Sequence, residues 1–182
     1  MFDSALLPLT GSRTSLRPLA VRDAAIYVEG TRDPSVRAYA HLPEPNYTVE
    51  LVTRLANTVV PEGLRRADLA MLSIVDTTTD GFLGSLVIFD VTAESAEVGF
   101  WLHPDARGSG RSTDALELAS EFASRSGLVA ITARTATDNL ASQKTLTRAG
   151  FEVLTTAPGL APSGREVELV HYERQLREGR EP

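Results

Sequence analysis

Apolar and polar positions change period several times along the chain, and each change marks an element. Ser15-Leu16-Arg17-Pro18-Leu19 reads as a first strand, and residues 21–29 as a short helix with Asp23 in its first turn. The stretch 30–47 holds Pro34, Pro43 and Pro45 and reads as loop with one helical turn. Thr48 caps the next helix, whose stripe Val52, Leu55, Ala56 and Val59 has helical spacing. Pro61 and Gly63 are expected to end it. Three strands then lie close together, Leu69 to Val75, Phe82 to Val91 and Ala96 to Leu102, as in an antiparallel meander. Residues 111–126 turn helical, with Ala115, Leu118, Ala119 and Phe122 facing inward. Leu128 to Thr135 is a strand, and Asp138 caps a helix ending near Ala149. Gly150 starts a strand over Phe151 to Thr155, and a Pro/Gly loop over 157–164 leads to the last strand, Val167 to Leu176.

The early strands come in hairpins, whereas 96–135 is a strand–helix–strand unit. Such a crossover joins parallel strands and is right-handed in nearly all cases. The expected class is therefore α+β, a largely antiparallel seven-stranded mixed sheet with one parallel pair. The 182 residues read as one domain with flexible ends at 1–12 and 177–182, long enough to bury roughly 70% of the unfolded surface.

Composition narrows the function. There is no cysteine, which excludes disulfides, a thiol nucleophile and thiolate metal sites. No apolar run approaches the roughly 20 residues that cross a bilayer. The first dozen residues carry Asp3 and no basic cluster, unlike a signal peptide. A cytoplasmic location without a membrane partner is the expectation. The formal net charge of −6 argues against a nucleic-acid partner and is compatible with cationic substrates.

The densest chemical signal is Arg107-Gly108-Ser109-Gly110-Arg111-Ser112-Thr113, between the end of a strand and the start of a helix. The first amides of a helix lack intrahelical partners, and the helix dipole is positive there. Glycines remove the Cβ atoms that would hold a ligand away. The combination is an anion cradle, most often for phosphate. A P-loop would need a lysine that is missing here. A dinucleotide fingerprint would need a third glycine where Thr113 stands, and an earlier place in the chain. A plain two-glycine turn is the bland alternative.

Three segments, in order, resemble the GNAT superfamily of acyl-CoA N-acyltransferases from about residue 12 to 176. They are Ala96-Glu97-Val98-Gly99-Phe100-Trp101-Leu102-His103-Pro104, Arg107 to Ser112, and Asn139-Leu140-Ala141-Ser142 followed by Ala149-Gly150-Phe151. The first and third are most similar to the branch of ribosomal-protein N-terminal acetyltransferases, which also includes enzymes acting on small amines. The resemblance implies helices on both faces of the sheet, a splayed parallel strand pair, acetyl-CoA as co-substrate and no metal. It implies direct attack by a primary amine, on a small molecule or a peptide N-terminus, within a ternary complex. A homodimer is the default assembly for such domains.

By that resemblance the amides of Gly108, Ser109, Gly110, Arg111, Ser112 and Thr113 grip the pyrophosphate, with charge added by Arg107 and Arg111. A backbone N–H among Phe100, Trp101 and Leu102 polarises the acetyl carbonyl. Asn139 either bonds the pantetheine arm or merely caps its helix. Ser142 either donates to the sulfur or bonds back to a carbonyl. Many family members carry a tyrosine as the acid at the position of Leu146, and leucine cannot serve. Glu97 is the base candidate by position; its alternative is a rim carboxylate paired with an arginine. His41 and His103 are further base candidates, and His171 is assigned to packing or the surface. A catalytically silent acyl-CoA sensor is the competing reading.

Overall fold

Leu16, Leu72, Leu86, Ile88 and Val98 stand on adjacent strands and are at most 2% exposed. Their alternation turns one row of side chains inward on each strand. The computed structural model describes residues 3–40, 42–160 and 166–176. Among these, eight strands form one sheet: β1 (Leu9–Thr10), β2 (Thr14–Pro18), β3 (Ala70–Asp76), β4 (Phe82–Phe89), β5 (Ser95–Leu102), β6 (Ala130–Ala136), β7 (Glu152–Leu160) and β8 (Glu166–Gln175). Their order is β1-β2-β3-β4-β5-β6-β8-β7. Every neighbouring pair is antiparallel except β5 and β6. The eighth strand is the two-residue β1, too short to show a period in the sequence.

Six α-helical segments are described: α1 (Ala24–Gly30), α2 (Pro34–Tyr39), α3 (Val49–Arg54), α4 (Val60–Arg66), α5 (Arg111–Arg125) and α6 (Leu140–Arg148). α1 and α4 pack on one face of the sheet, against β4 and β3. α5 packs on the other, against β2, β5 and β6, with α6 beside it. Ala115, Ala119 and Phe122 of α5 are fully buried, as their spacing predicts. No helix among the described residues is long and apolar enough to cross a membrane.

Three local expectations change. Pro61 and Gly63 do not end the third helix. Leu55–Val59 winds as a π turn, and the helix resumes as α4 with Pro61 in its first turn. The wider turn accommodates a ring that has no N–H to donate. β7 continues past Thr155 to Leu160 because it is the edge strand, where Pro158 costs no ladder bond. α6 is capped by Asn139, not Asp138: Asn139 Oδ1 accepts from the Ser142 N–H at 3.2 Å.

The feature that creates a site is the short parallel seam. β5 and β6 pair only at Ser95–Ala130, Ala96–Ile131 and Glu97–Thr132. Beyond that, β5 stays with β4 as far as Leu102, and β6 stays with β8 as far as Ala136. The two strands diverge and leave a gap inside the sheet.

Candidate active site

The gap begins at the glycine loop. Gly108 and Gly110 have φ of +83° and +79°, the left-handed region that glycine enters without strain. A Cβ at Gly108 would meet nothing within 4 Å, so the loop is open on its ligand side. Gly110 is the N-cap of α5 and supplies no side-chain cap. Among the described residues no protein group accepts from the amides of 108–113. These free donors, with the positive end of a 15-residue helix, make a place suited to an anion.

The loop floors a cleft of about 610 Å³, whose far wall is the start of α6. Gly108, Gly110, Arg111, Ser112, Thr113, Asn139 and Ser142 all line it, together with Phe100, Trp101 and Leu102. Ser109 stands exposed on the loop outside that lining. Three arginines, Arg107, Arg111 and Arg148, line the cleft with one aspartate, Asp138. That excess of positive charge in a chain of net charge −6 suits a polyanion. Arg148, on the last turn of α6, carried no signal in sequence because the fold alone brings it to the loop.

Arg107 is committed to the scaffold. Its Nη2 donates to Asp33 Oδ1 at 2.9 Å and to the Leu102 carbonyl at 3.2 Å, tying the loop to α2 and β5. Burial alone would raise the Asp33 carboxyl. Hydrogen bonds from Arg107, Ser35 and the Val36 N–H outweigh it and hold the group down at about 2. Arg111 lies 3.6 Å from Asp76.

The start of α5 is anchored by a residue that sequence reading passed over. Asp114 is 8% exposed. It accepts from the amides of Ser12, Arg13 and Thr14 and from the hydroxyls of Ser12 and Thr14, at 2.8–3.2 Å. Burial pushes this carboxyl up and the five donors pull it further down, so it stays ionised. Gly11 is required beside it, since a Cβ there would come within 2.7 Å of Asp114 Oδ2.

A second cavity, of about 190 Å³, occupies the gap itself. Glu97, Ser142, Phe100, Arg134 and the buried Leu146 line it. Arg134 Nε donates to Glu97 Oε1 at 2.9 Å, so the carboxylate is both paired and at the cavity wall. Tyr39, Phe100 and Ser142 line cleft and cavity alike and mark their junction. Tyr39 belongs to the stretch 30–47, which was expected to wall the acceptor site, but sequence alone did not single it out because α2 is only six residues long and lies far from the motifs. Asn139 Nδ2 donates to Ser142 Oγ at 2.9 Å, which leaves the serine O–H to donate elsewhere.

The ladder selects among the β5 amides. His103 N–H donates to Leu83 O across the β4 side. The β4–β5 register is unbroken from Gly84–Leu102 to Phe89–Glu97. Alternation then turns the amides of Trp101 and Gly99 toward β4, and those of Phe100 and Leu102 into the gap. Leu102 O is already taken by Arg107. Of the histidines, His103 caps a 3₁₀ turn and lines neither space, and His171 pairs with Arg134 and Thr155 in the ladder. His41 lies outside the described residues.

This arrangement, a splayed strand pair whose mouth is a glycine loop at a helix start, agrees with the sequence comparison. Residues 13–152 match the family model described as acetyltransferase (GNAT) domain. The chain belongs to this acetyltransferase family. Among solved structures, Mycobacterium smegmatis RimJ in complex with CoA-disulfide superposes with a TM-score of 0.81 at 22% identity, covering 100% of this chain and 93% of that one. RimL, a ribosomal L7/L12 alpha-N-protein acetyltransferase in complex with coenzyme A, gives 0.80 at 16% identity, covering 92% and 97%. Spermidine N-acetyltransferase from Vibrio cholerae, in complex with CoA and spermine, gives 0.76 at 15% identity, covering 91% and 96%. No curated protein matches the sequence significantly.

Proposed function

We propose that the chain transfers an acetyl group from acetyl-CoA to a primary amine, by direct attack within a ternary complex. The observation that carries this reading is the junction at Tyr39, Phe100 and Ser142. There a cleft built for a polyanion meets a cavity that holds a carboxylate.

In this reading the amides of 108–113 hold the pyrophosphate, with Arg111 and Arg148 adding charge. Arg107 acts by fixing the loop. The pantetheine arm runs past Asn139 into the gap, where the unpaired edge of β5 offers it backbone partners. The amine nitrogen attacks the thioester carbonyl and the C–S bond then breaks. The Phe100 N–H faces the gap and stabilises the oxygen that becomes negative. Glu97 accepts the proton that the amine loses, and Ser142 or Tyr39 returns one to the departing sulfur, in place of the family's tyrosine. An α-amino acceptor, with a pKa of about 7.7–8, needs less help from a base than a lysine at about 10.4.

The acceptor is a small amine or a peptide N-terminus. Thiol release from acetyl-CoA, measured across amines and peptides, tests the reaction. Calorimetry that finds no coenzyme A binding would remove it. Leu146 favours a second reading, a catalytically silent acyl-CoA sensor. Tight coenzyme A binding without turnover on any amine would select that one. Ser142→Ala and Tyr39→Phe separate the two hydroxyls. The true donor loses roughly tenfold in kcat or more and loses its limb of the pH profile, and the other variant changes neither.

A further inference from the structure

The sheet face that carries α1 holds a third cavity, of about 160 Å³. Its floor includes the cross-strand row Met71–Val87–Gly99 and, beside it, the pair Ser85–Trp101. Tyr27, Tyr47 and Trp101 wall one side, with the Tyr27 ring 5.5 Å from Tyr47 and 5.2 Å from Trp101, centroid to centroid. Leu55 and Val59, the ends of the π turn, wall another side. None of the five residues of that turn is buried, so core packing does not use up its apolar side chains. Such turns recur at functional sites.

Position ties this cavity to the reaction. Phe89, Gly99 and Phe100 line both it and the gap cavity. Glu97 and Gly99 stand two residues apart on one face of β5, about 7 Å. Gly99 is outside the left-handed region, so the backbone does not demand a glycine there. Gly99 lies beside Val87 in the sheet and lines both cavities. An apolar cavity of roughly 150 Å³ is large enough to take benzene. Glu44 is the lone carboxylate in the lining, and no lysine, arginine or histidine joins it among the described residues, which disfavours an anionic occupant.

We propose that this cavity receives a benzene-sized apolar group carried by the acceptor. The acceptors of this chain are then amines with an aromatic or branched aliphatic group within about two carbons of the nitrogen, about the reach from Glu97 to Gly99. The inference rests on the acetyl-transfer reading of the neighbouring gap.

Trp101 is the one tryptophan of the chain and lines the cavity, so its emission reports occupancy without any turnover. The test titrates 2-phenylethylamine and ethylamine into the full chain with coenzyme A saturating, and measures kcat/KM for both with acetyl-CoA. The phenyl compound is expected to give a saturable emission change at a concentration at least roughly tenfold below ethylamine, and a kcat/KM roughly 30-fold higher. Leu55→Phe fills the space from the helix wall and should cancel both preferences while ethylamine is still acetylated. Val87→Phe, at a residue that lines this cavity and not the gap, fills it from the floor and keeps the test open should the first variant fail to fold. Equal responses and equal kcat/KM for the two amines overturn the proposal. If no amine is acetylated but phenylethylamine still binds selectively and the variants abolish that binding, the cavity assignment stands and the acetyl-transfer reading fails.

Discussion

On the α5 face the cleft is wide, about 610 Å³, and lined by main-chain donors and three arginines; on the α1 face the cavity is about 160 Å³ and lined by rings and aliphatic side chains with one carboxylate. The first has six of the seven residues 107–113 in its lining, with α2, the end of β5 and α6 completing it. The second is assembled from β3, β4, β5, α1 and the π turn. A local stretch can specify an anion site, because unpaired amides and a helix dipole are properties of the backbone. An apolar site needs walls, and only the finished fold brings walls together. The polar side should therefore tolerate change in distant residues, and the apolar side should be retuned by it.

Between the two faces stands Glu97, and its replacement should have the largest effect. Glu97→Gln is expected to lower kcat at neutral pH by about 100-fold with coenzyme A affinity unchanged. Part of the rate should return as pH rises and more amine is neutral; steady-state rates from pH 6 to 10 check this. Next comes Gly110→Val, which places a β-branched residue at φ +79°. Coenzyme A affinity by calorimetry should fall about 30-fold, while the Trp101 response to phenylethylamine persists. Loss of both together would break the independence of the two faces. Asp114→Asn removes the charge that five donors surround, and urea unfolding should show a loss of about 2 kcal/mol.

The smallest effect is expected at Asp33, which caps α2 and holds Arg107. Asp33→Ala should cost about 1 kcal/mol, discounted for the partial exposure of the pair. The sign of its pH dependence follows from the lowered carboxyl. The folded group titrates at about 2 and the unfolded one near 3.9. The stabilisation is present above about pH 4 and disappears as pH falls through about 2, so wild type and variant should converge in acid. Urea midpoints at pH 7 and pH 2.5 measure the difference.

What could be read from the chain follows the same division. The strand, glycine turn and helix over 96–126 announce themselves because period, breaker and cap are contiguous. The parallel crossover follows from connection length, whereas the gap was implied only by the family resemblance. The Asp114 anchor does not, because its partners lie about 100 residues earlier and an aspartate in a first turn has an ordinary local reason to be there. The same holds for Arg17, whose guanidinium donates twice to Asp23 at 2.7 and 2.8 Å while Ser73 bonds the same carboxylate. Pro61 misled because a proline ends most helices and this one is absorbed by a widened turn. Glu97 was located correctly on its strand, and the arginine of its alternative reading is present as Arg134. Pairing and proton transfer are both open to a carboxylate at that wall. Arg148 needed the tertiary structure to become a site residue at all.

The parallel seam has a mechanical consequence. With only three rungs joining β5 to β6, the ladder divides the sheet into two plates, β1 to β5 and β6-β8-β7, which α5 also bridges. A molecule lying in the wedge would touch both plates and add contacts where the ladder has none. Cofactor capture would then latch the frame against which the second substrate is pressed.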